Sequence, residues 1–333
     1  MRLAVVGCGL IGNKRAKSLV GLDHSLAAVS DAISGRAAQL AASYPGCLAI
    51  ANWREMVERN DVEAVVVSTT NDSLSAVALA AVQAGKHVLV EKPAARSADE
   101  LRPVLEAANT AGVTVRVGFN HRFHPALQNA RRLVDSNAIG PLMFVRGRYG
   151  HGGRVGYDRE WRADPVLAGG GELLDQGVHL IDLTRWFLGD ISEVSGHVGT
   201  FFWNMPVEDN GFLFLRTAGG EVGWLHASCS EWKNLFCLEI YGRTGKLQID
   251  GLGGSYGIER LSYYRMLPQM GPPETTIWEY PGEDTSWSLE FGDFVRAIAG
   301  NPGQGATLED AVAALEVVST VYSQQTMVNR RAA

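Results

Sequence analysis

Along the first 118 residues, short apolar runs alternate with longer stretches of helical period. The runs at 2–6, 25–30, 47–50, 64–68, 87–90 and 113–117 predict strands, and the stretches at 11–20, 34–43, 52–59, 73–84 and 97–111 predict helices between them. Runs that are apolar throughout suit strands buried on both faces, so this region predicts a doubly wound parallel sheet. After Gly118 the pattern changes. A helix at 125–136 and a strand at 142–149 lead to a loop at 150–171 and a helix at 172–187. Extended runs follow at 191–203, 210–217, 221–229, 235–241 and 246–250, with turn residues at Gly219-Gly220 and Thr244-Gly245. Strands clustered in this way predict a mainly antiparallel sheet. Residues 251–286, rich in Gly, Pro and Tyr, show no readable period and are expected to be irregular, and helices at 287–299 and 307–328 close the chain.

The turn after the first strand carries chemistry. Leu3 to Val6 run straight into Gly7-Cys8-Gly9-Leu10-Ile11-Gly12, and a helix follows. Glycines there permit a tight turn and close approach of backbone to a pyrophosphate, whose charge then meets the amide-rich helix start. An acid stands where a ribose would need it: Asp31 ends the second strand, nineteen residues past Gly12. A carboxylate at that place accepts from both ribose hydroxyls and repels a 2′-phosphate, which favours NAD over NADP. Arg36 would soften that preference if it reached the ribose; otherwise it is a solvated residue on the next helix. The fold class is therefore α/β: an N-terminal Rossmann domain over 1–120, then a C-terminal α+β domain over 121–333.

The fifth apolar run ends in Glu91-Lys92-Pro93. The carboxyl end of a strand in an open α/β sheet is where ligands bind. Proline stiffens the backbone there, so Lys92 can aim a cation or proton donor at a substrate. A second constellation lies on the 172–187 helix, where Asp175 and His179 are four residues apart and so share a face. A carboxylate beside an imidazole stabilises the imidazolium, which equips His179 to accept a proton near neutral pH. Gly169-Gly170-Gly171 before it allows close approach to a ligand. Read alone, such a pair on a helix is more often a simple surface or capping pair, and no further ligand cluster for a metal accompanies it.

Composition narrows the class. A hydrophobic content of 46% with 20% charged residues is that of a globular chain, and 333 residues suffice for two domains. The net charge of −6 and pI near 5.8 give no reason to expect nucleic acid or an anionic membrane as partner. A first strand beginning at residue 2 or 3 leaves no room for a signal peptide, and no apolar run approaches the length of a membrane span. Cys8, Cys47, Cys229 and Cys237 lack C-x-x-C spacing, which predicts reduced thiols in a cytoplasmic protein.

Taken together, these residues resemble the Gfo/Idh/MocA family (glucose–fructose oxidoreductase / inositol dehydrogenase) over essentially the whole chain. The resemblance rests on Gly7 to Gly12 with Asp31, on Glu91-Lys92-Pro93, on Gly118-Phe119-Asn120-His121-Arg122-Phe123-His124-Pro125, and on Gly169 to His179. It implies that Lys92, Asp175 and His179 are catalytic, with His179 as proton acceptor and Lys92 stabilising the alkoxide. It also implies that Gly7, Gly9, Leu10, Ile11, Gly12, Asp31, Thr69, Thr70, Asn71, Glu91, Lys92 and Asn120 hold NAD. Thr69 to Ser73 depart from the many members that carry proline and then histidine here. The Lys92–Pro93 bond is expected to be cis. The implied activity is oxidation of a secondary alcohol, or reduction of a ketone, on a sugar, sugar derivative or cyclitol. Two alternatives within the family's range are a glycosidase that retains NAD and a dinucleotide-binding sensor; a complete Lys92, Asp175 and His179 set argues against the sensor.

Substrate contacts are expected from Lys92, Asn120, Arg122, Asp175 and His179, and from Arg154, Tyr157, Trp161 and Arg162 in the loop before the helix, whose rings and forks suit sugars. Five arginines against three acids between residues 146 and 164 point to an anionic sugar or, equally, to solvated surface pairs. Strands such as Gly211 to Leu215 and Leu235 to Tyr241 are apolar on both alternating faces. One face is therefore expected to make a homodimer or homotetramer, as in the resembling family.

Overall fold

The computed structural model describes residues 1–19 and 24–332, with side chains to Gln325. The chain divides into two compact units: residues 1–120, 166–169 and 287–315 form the first, and 121–165, 170–286 and 316–333 the second. A single cut at residue 120 thus describes only the first crossing of the chain between them.

The first unit is built on six parallel strands in the order β3-β2-β1-β4-β5-β6. These are β1 (Arg2–Val6), β2 (Ser25–Ser30), β3 (Leu48–Ala49), β4 (Ala64–Val67), β5 (His87–Glu91) and β6 (Val115–Gly118). Helices α1 (Leu10–Ser18), α2 (Ser34–Ala42), α3 (Trp53–Val57), α4 (Asn71–Gln83) and α5 (Ala98–Ala111) connect them. The predicted end of the first helix, at Val20, lies outside the described residues. Strand β4 is Ala-Val-Val-Val and is buried along its whole length, as a strand covered on both faces must be. The order reverses between β1 and β4, which puts the glycine turn after β1 at the switch point where such sheets bind ligands.

The second unit holds an eight-stranded sheet, β14-β13-β12-β11-β7-β10-β9-β8, antiparallel except for the β7/β10 pair. Its strands are β7 (Leu142–Gly150), β8 (Ile191–Gly199), β9 (Asn210–Thr217), β10 (Val222–Ser228), β11 (Leu235–Gly242), β12 (Gly245–Asp250), β13 (Glu259–Arg265) and β14 (Glu274–Tyr280). Helix α6 (Pro125–Asp135) packs against β13 and β14, and short α7 (Pro165–Ala168) is followed by α8 (Val178–Leu188), which packs against β7 and β10. Helices α9 (Ser286–Ile298) and α10 (Leu308–Ala332) end the chain.

Three expectations are corrected. Residues 251–286 contain β13 and β14; β14 is an edge strand, mostly exposed, so burial imposes no alternation on its sequence. The expected loop at 150–171 includes helical turns at Tyr157–Arg159, Trp161–Ala163 and Pro165–Ala168. The 172–187 helix is not uniform: Leu173–Gly177 form a π turn, and α-geometry begins only at Val178.

Candidate active site

In the first unit the glycine turn has the shape that close approach of a pyrophosphate requires. Gly7 has φ +93°, and a Cβ on it would lie 2.4 Å from the Ser68 carbonyl oxygen. A Cβ on Gly12 would lie 1.9 Å from the Gly7 oxygen, whereas one on Gly9 would meet nothing within 4 Å. Two of the glycines are therefore demanded by packing, and the third opens to free space. Helix α1 starts beside it with no acidic residue in its first turn and no side-chain cap, so its N-terminal amides suit an anion. Asp31 braces the turn: Oδ2 accepts from Cys8 N and Oδ1 from Ile33 N, both at 2.7 Å. Each carboxylate oxygen keeps lone-pair capacity for a ribose hydroxyl. The donor set fits a dinucleotide, which Gly7, Gly9, Gly12, the α1 amides at Leu10 and Ile11, and Asp31 would hold.

The segment after β4 is more self-contained. Thr69 Oγ1 bonds the Thr70 carbonyl at 3.1 Å, and Thr70 Oγ1 bonds Asp72 at 2.6 Å. Asn71 is buried, and its amide donates to the Ala168 carbonyl at 2.9 Å. After β5, Lys92 is half-buried and the Lys92–Pro93 peptide is cis, as the resemblance implies. The Glu91 side chain is engaged within the fold. Its carboxylate accepts from Arg15 Nε at 2.5 Å, and the fully buried Arg15 also pairs with Glu290 at 2.5 Å while lying over the Trp287 ring. Glu91 is thus part of a buried ion-pair triad that ties the end of β5 to α1 and α9. A Cβ on Gly118 would stand 2.5 Å from the same guanidinium, which explains the glycine that ends β6.

In the second unit, Asp175 sits within the π turn and His179 is the second residue past its end, so they are not stacked at the spacing of a regular α-helix. π turns inside helices occur disproportionately at functional sites. The Asp175 carboxylate accepts from Arg162 Nε at 2.9 Å, and this ion pair raises the Arg162 pKa against the opposing effect of burial. His179 is buried, and His121 lies flat against it with ring centroids 3.7 Å apart. Tyr149 meets both imidazoles edge-on, at 5.0 and 5.9 Å. Its hydroxyl pKa is pushed well up, first by burial, then by Tyr256, and further by Asp175 and Glu172.

The other expected substrate residues divide. Arg122 is interior: its guanidinium forms two bonds with Asp182 on α8, at 2.9 and 2.5 Å, both groups being buried. Asn120 is buried at the start of the 3-10 turn Asn120–Phe123. Tyr157 is buried, Trp161 lies beneath the Arg162 guanidinium at 4.6 Å, and Arg154 is exposed and paired with Glu160 at 2.6 Å. Sequence reading gave no role to His121, Tyr149 or Arg15. For His121 the signal was present, because it stands inside the Gly118 to Pro125 motif. For Arg15 and Tyr149 only burial reveals them.

Two family models match the chain: an oxidoreductase family NAD-binding Rossmann fold over residues 1–119 and a GFO/IDH/MocA C-terminal domain over residues 127–248. The scyllo-inositol 2-dehydrogenase (NAD(+)) of Bacillus subtilis (strain 168) is 28% identical over 335 residues, covering 95% of this chain and 92% of that protein. A dTDP-3,4-didehydro-2,6-dideoxy-alpha-D-glucose 3-reductase of Streptomyces violaceoruber is 31% identical, covering 75% and 72%. A levoglucosan dehydrogenase of Pseudarthrobacter phenanthrenivorans is 31% identical over 182 residues, 52% of this chain and 45% of that protein. A levoglucosan dehydrogenase structure in complex with NADH and levoglucosan superposes with a TM-score of 0.88 over 97% of each chain at 22% identity, a likeness of fold. The chain belongs to the Gfo/Idh/MocA family of oxidoreductases, and its first unit is an NAD-binding Rossmann domain.

Proposed function

We propose that the protein is an NAD(H)-dependent dehydrogenase or ketoreductase that interconverts a secondary alcohol and a ketone on a sugar or cyclitol. The observation that carries this reading is His179, a buried imidazole held flat by His121 at the junction of a π turn that bears Asp175. Oxidising a carbinol requires a hydride acceptor, a proton acceptor and stabilisation of the developing alkoxide. Bound NAD supplies hydride acceptance at the carbinol carbon. In this reading His179 Nε2 or Nδ1 takes the hydroxyl proton, the Lys92 ammonium stabilises the oxygen, and Asp175, with Arg162, orients the helix turn on which His179 begins. Relatives named for inositol and levoglucosan support a polyol ring as substrate. Of the five arginines that suggested an anion, Arg146, Arg154 and Arg162 are each paired with a carboxylate.

Absorbance of NADH on mixing purified protein, NAD+ and a panel of polyols, sugars and sugar acids tests the proposal. His179→Ala and Lys92→Ala should each lower kcat by about a hundredfold or more while NAD still binds. Near-native turnover in His179→Ala would remove that residue from proton transfer.

We further infer a homodimer or homotetramer formed through the open face of the second unit's sheet, where Phe212, Phe214 and Trp224 are exposed side by side. The four free thiols fit a reducing compartment such as the cytoplasm. Among the described residues no helix is long and apolar enough to cross a membrane.

A further inference from the structure

Two consecutive carboxylates tie a second feature to the helix of His179. Glu208 accepts from Gly171 N at 3.0 Å and Leu173 N at 3.2 Å, where that helix begins, and from the Tyr322 hydroxyl at 2.6 Å. Asp209, fully buried, accepts from three successive backbone amides: Phe201 at 2.9 Å, Phe202 at 2.7 Å and Trp203 at 2.9 Å. Burial acts to raise the Asp209 pKa, but these donors and the Asn210 side chain outweigh it and hold the carboxyl below its ordinary range. Strand β8 therefore stops at Gly199, short of the 203 that the apolar run suggested, and a turn built on one carboxylate presents three aromatic residues.

Two further segments close on that turn. His151 N donates to the Ser228 carbonyl at 2.9 Å, and Glu231 N donates to the His151 carbonyl at 3.0 Å. Next to Glu231, Trp232 is 74% exposed and has φ +61°, a region that L-residues avoid and keep only where their surroundings impose it. Gly153 makes room for an indole, since a Cβ there would lie 2.4 Å from Trp203 Cζ2. The result is a line of rings: His151 to Tyr157 at 5.3 Å, Tyr157 to Trp203 at 5.6 Å, Trp203 to Phe202 at 5.0 Å, and Phe202 to Trp232 at 4.7 Å. Its inner end lies beside the acid–base helix, with His151 Nε2 3.7 Å from Glu172 Oε1. Its outer end is solvent-exposed. Phe201 turns instead toward Phe212 and belongs with the open sheet face.

We propose that this ridge is a subsite for a second sugar ring, so that the substrate is a glycoside whose reacting ring meets the Asp175–His179 helix and whose neighbouring pyranose stacks on Phe202 and Trp232. The proposal rests on the sugar or cyclitol reading above and narrows its substrate. Pyranose rings carry apolar C–H faces that aromatic side chains accept, and a rigid exposed aromatic patch marks a binding surface. Charge separates a second sugar from a nucleotide. A diphosphate requires cations that are not already committed. Arg154, 6.0 Å over the Tyr157 ring, is paired with Glu160, and Arg162 with Asp175. Glu231 and Lys233, of opposite sign, flank Trp232. The ridge suits a neutral ring.

The test compares glucose, galactose and mannose with maltose, cellobiose and lactose as substrates for the full-length protein with NAD+, and repeats the comparison with Trp232→Ala and Phe202→Ala. At least one disaccharide should exceed its component sugars in kcat/KM by about tenfold, the size of effect a well-made aromatic stack supplies. In Trp232→Ala that ratio should fall toward one through KM. Equal kcat/KM for the two classes, or a ratio unchanged in both variants, overturns the proposal. Tryptophan fluorescence titrated with the same disaccharides in the presence of NADH reads the ridge without turnover. A quench lost in Trp232→Ala supports the subsite, and no response to any disaccharide overturns it. If no sugar of either class reduces NAD+, the dehydrogenase reading fails, and the titration still decides the ridge. A drop in mass on light scattering of Trp232→Ala, with the ratio intact, would make the ridge a contact between copies and overturn the proposal.

Discussion

His121 and His179 lie face to face, with centroids 3.7 Å apart and planes 17° from parallel. They come from two elements that a third contact locks together: His121 stands in the 3-10 turn whose next residue, Arg122, is paired with Asp182 on α8, the helix that carries His179. Tyr149 closes the edges of both rings. The plane in which His179 presents its nitrogens is therefore set by packing, and a proton acceptor depends on that aim.

His121 should accordingly act as a positioning residue. His121→Ala, which removes the flat partner, is expected to lower kcat by about tenfold with little change in NAD affinity, because misaim costs rate more than binding. His121→Phe restores a flat ring and should recover most of the loss. Steady-state kinetics beside a melting curve separates this from a stability role: an Ala variant with native kcat, or a Phe variant no better than Ala, removes His121 from positioning.

Asp31 has two duties, and two substitutions should split them. It would repel a 2′-phosphate at the ribose, and it holds the Cys8 amide of the glycine turn at 2.7 Å. Wild-type protein should bind NAD at least about tenfold more tightly than NADP. Asp31→Asn keeps an acceptor for the turn while removing the charge, so the NAD/NADP ratio should fall toward one. Asp31→Ala loses both duties and should weaken both cofactors, since a hydrogen bond to a charged group is worth about 1.5–3 kcal/mol. Calorimetric titration reads all three proteins. Comparable wild-type affinities for the two cofactors would overturn the assignment.

What the sequence disclosed follows from which signals are local. Strands such as β4, buried on both faces, announce themselves as apolar runs, and the dinucleotide turn reads directly because packing demands Gly7 and Gly12. Long-range partners leave no such trace. Arg15 looks like an ordinary polar position on α1 until Glu290, 275 residues away, is brought against it. Leu173 to Gly177 read as an α-helix because a π turn changes only the hydrogen-bond step, not the residue types. β14 escaped because an edge strand without a buried face has no period to show. The early end of β8 was equally hidden, since Phe201 to Trp203 are good strand formers overruled by one buried carboxylate at Asp209.

Glu239 supplies a pH-dependent contribution to stability. It sits on β11 with Arg146 Nε at 2.5 Å, Lys246 Nζ at 2.5 Å and the Tyr241 hydroxyl at 3.0 Å. Burial, the largest single influence, would raise its pKa; the three donors outweigh it and bring the value down from 4.5 to about 2. A carboxyl whose folded pKa is depressed stabilises the fold fully above its ordinary pKa and loses that contribution as pH falls through the folded value. The difference in Tm between wild type and Glu239→Gln should therefore be largest above about pH 5 and shrink between 4.5 and about 2. A difference that stays constant across that window contradicts the assignment.

The open face of the second sheet should seal against another copy of the chain. In register across β9 and β10, Trp224 opposes Phe214, and His226 opposes Phe212 with their rings stacked 4.3 Å apart. The alternate residues Leu213, Leu215 and Leu225 are buried on the other face of the same strands. Trp224 is 54% exposed and Phe214 43%, so the aromatic area left to water is large for a side chain on a flat sheet. Burying each ring is worth about 1.5–3 kcal/mol, and a two-fold axis lets the same patch serve on both copies. Light scattering at micromolar concentration should give at least twice the chain mass of 35.9 kDa. Trp224→Glu places an unpaired carboxylate in that contact, which the desolvation of a charge makes costly, and should shift the mass toward 35.9 kDa while the melting curve stays cooperative. A wild-type protein already at the single-chain mass would sink the interface, as would a Trp224→Glu variant whose mass does not change.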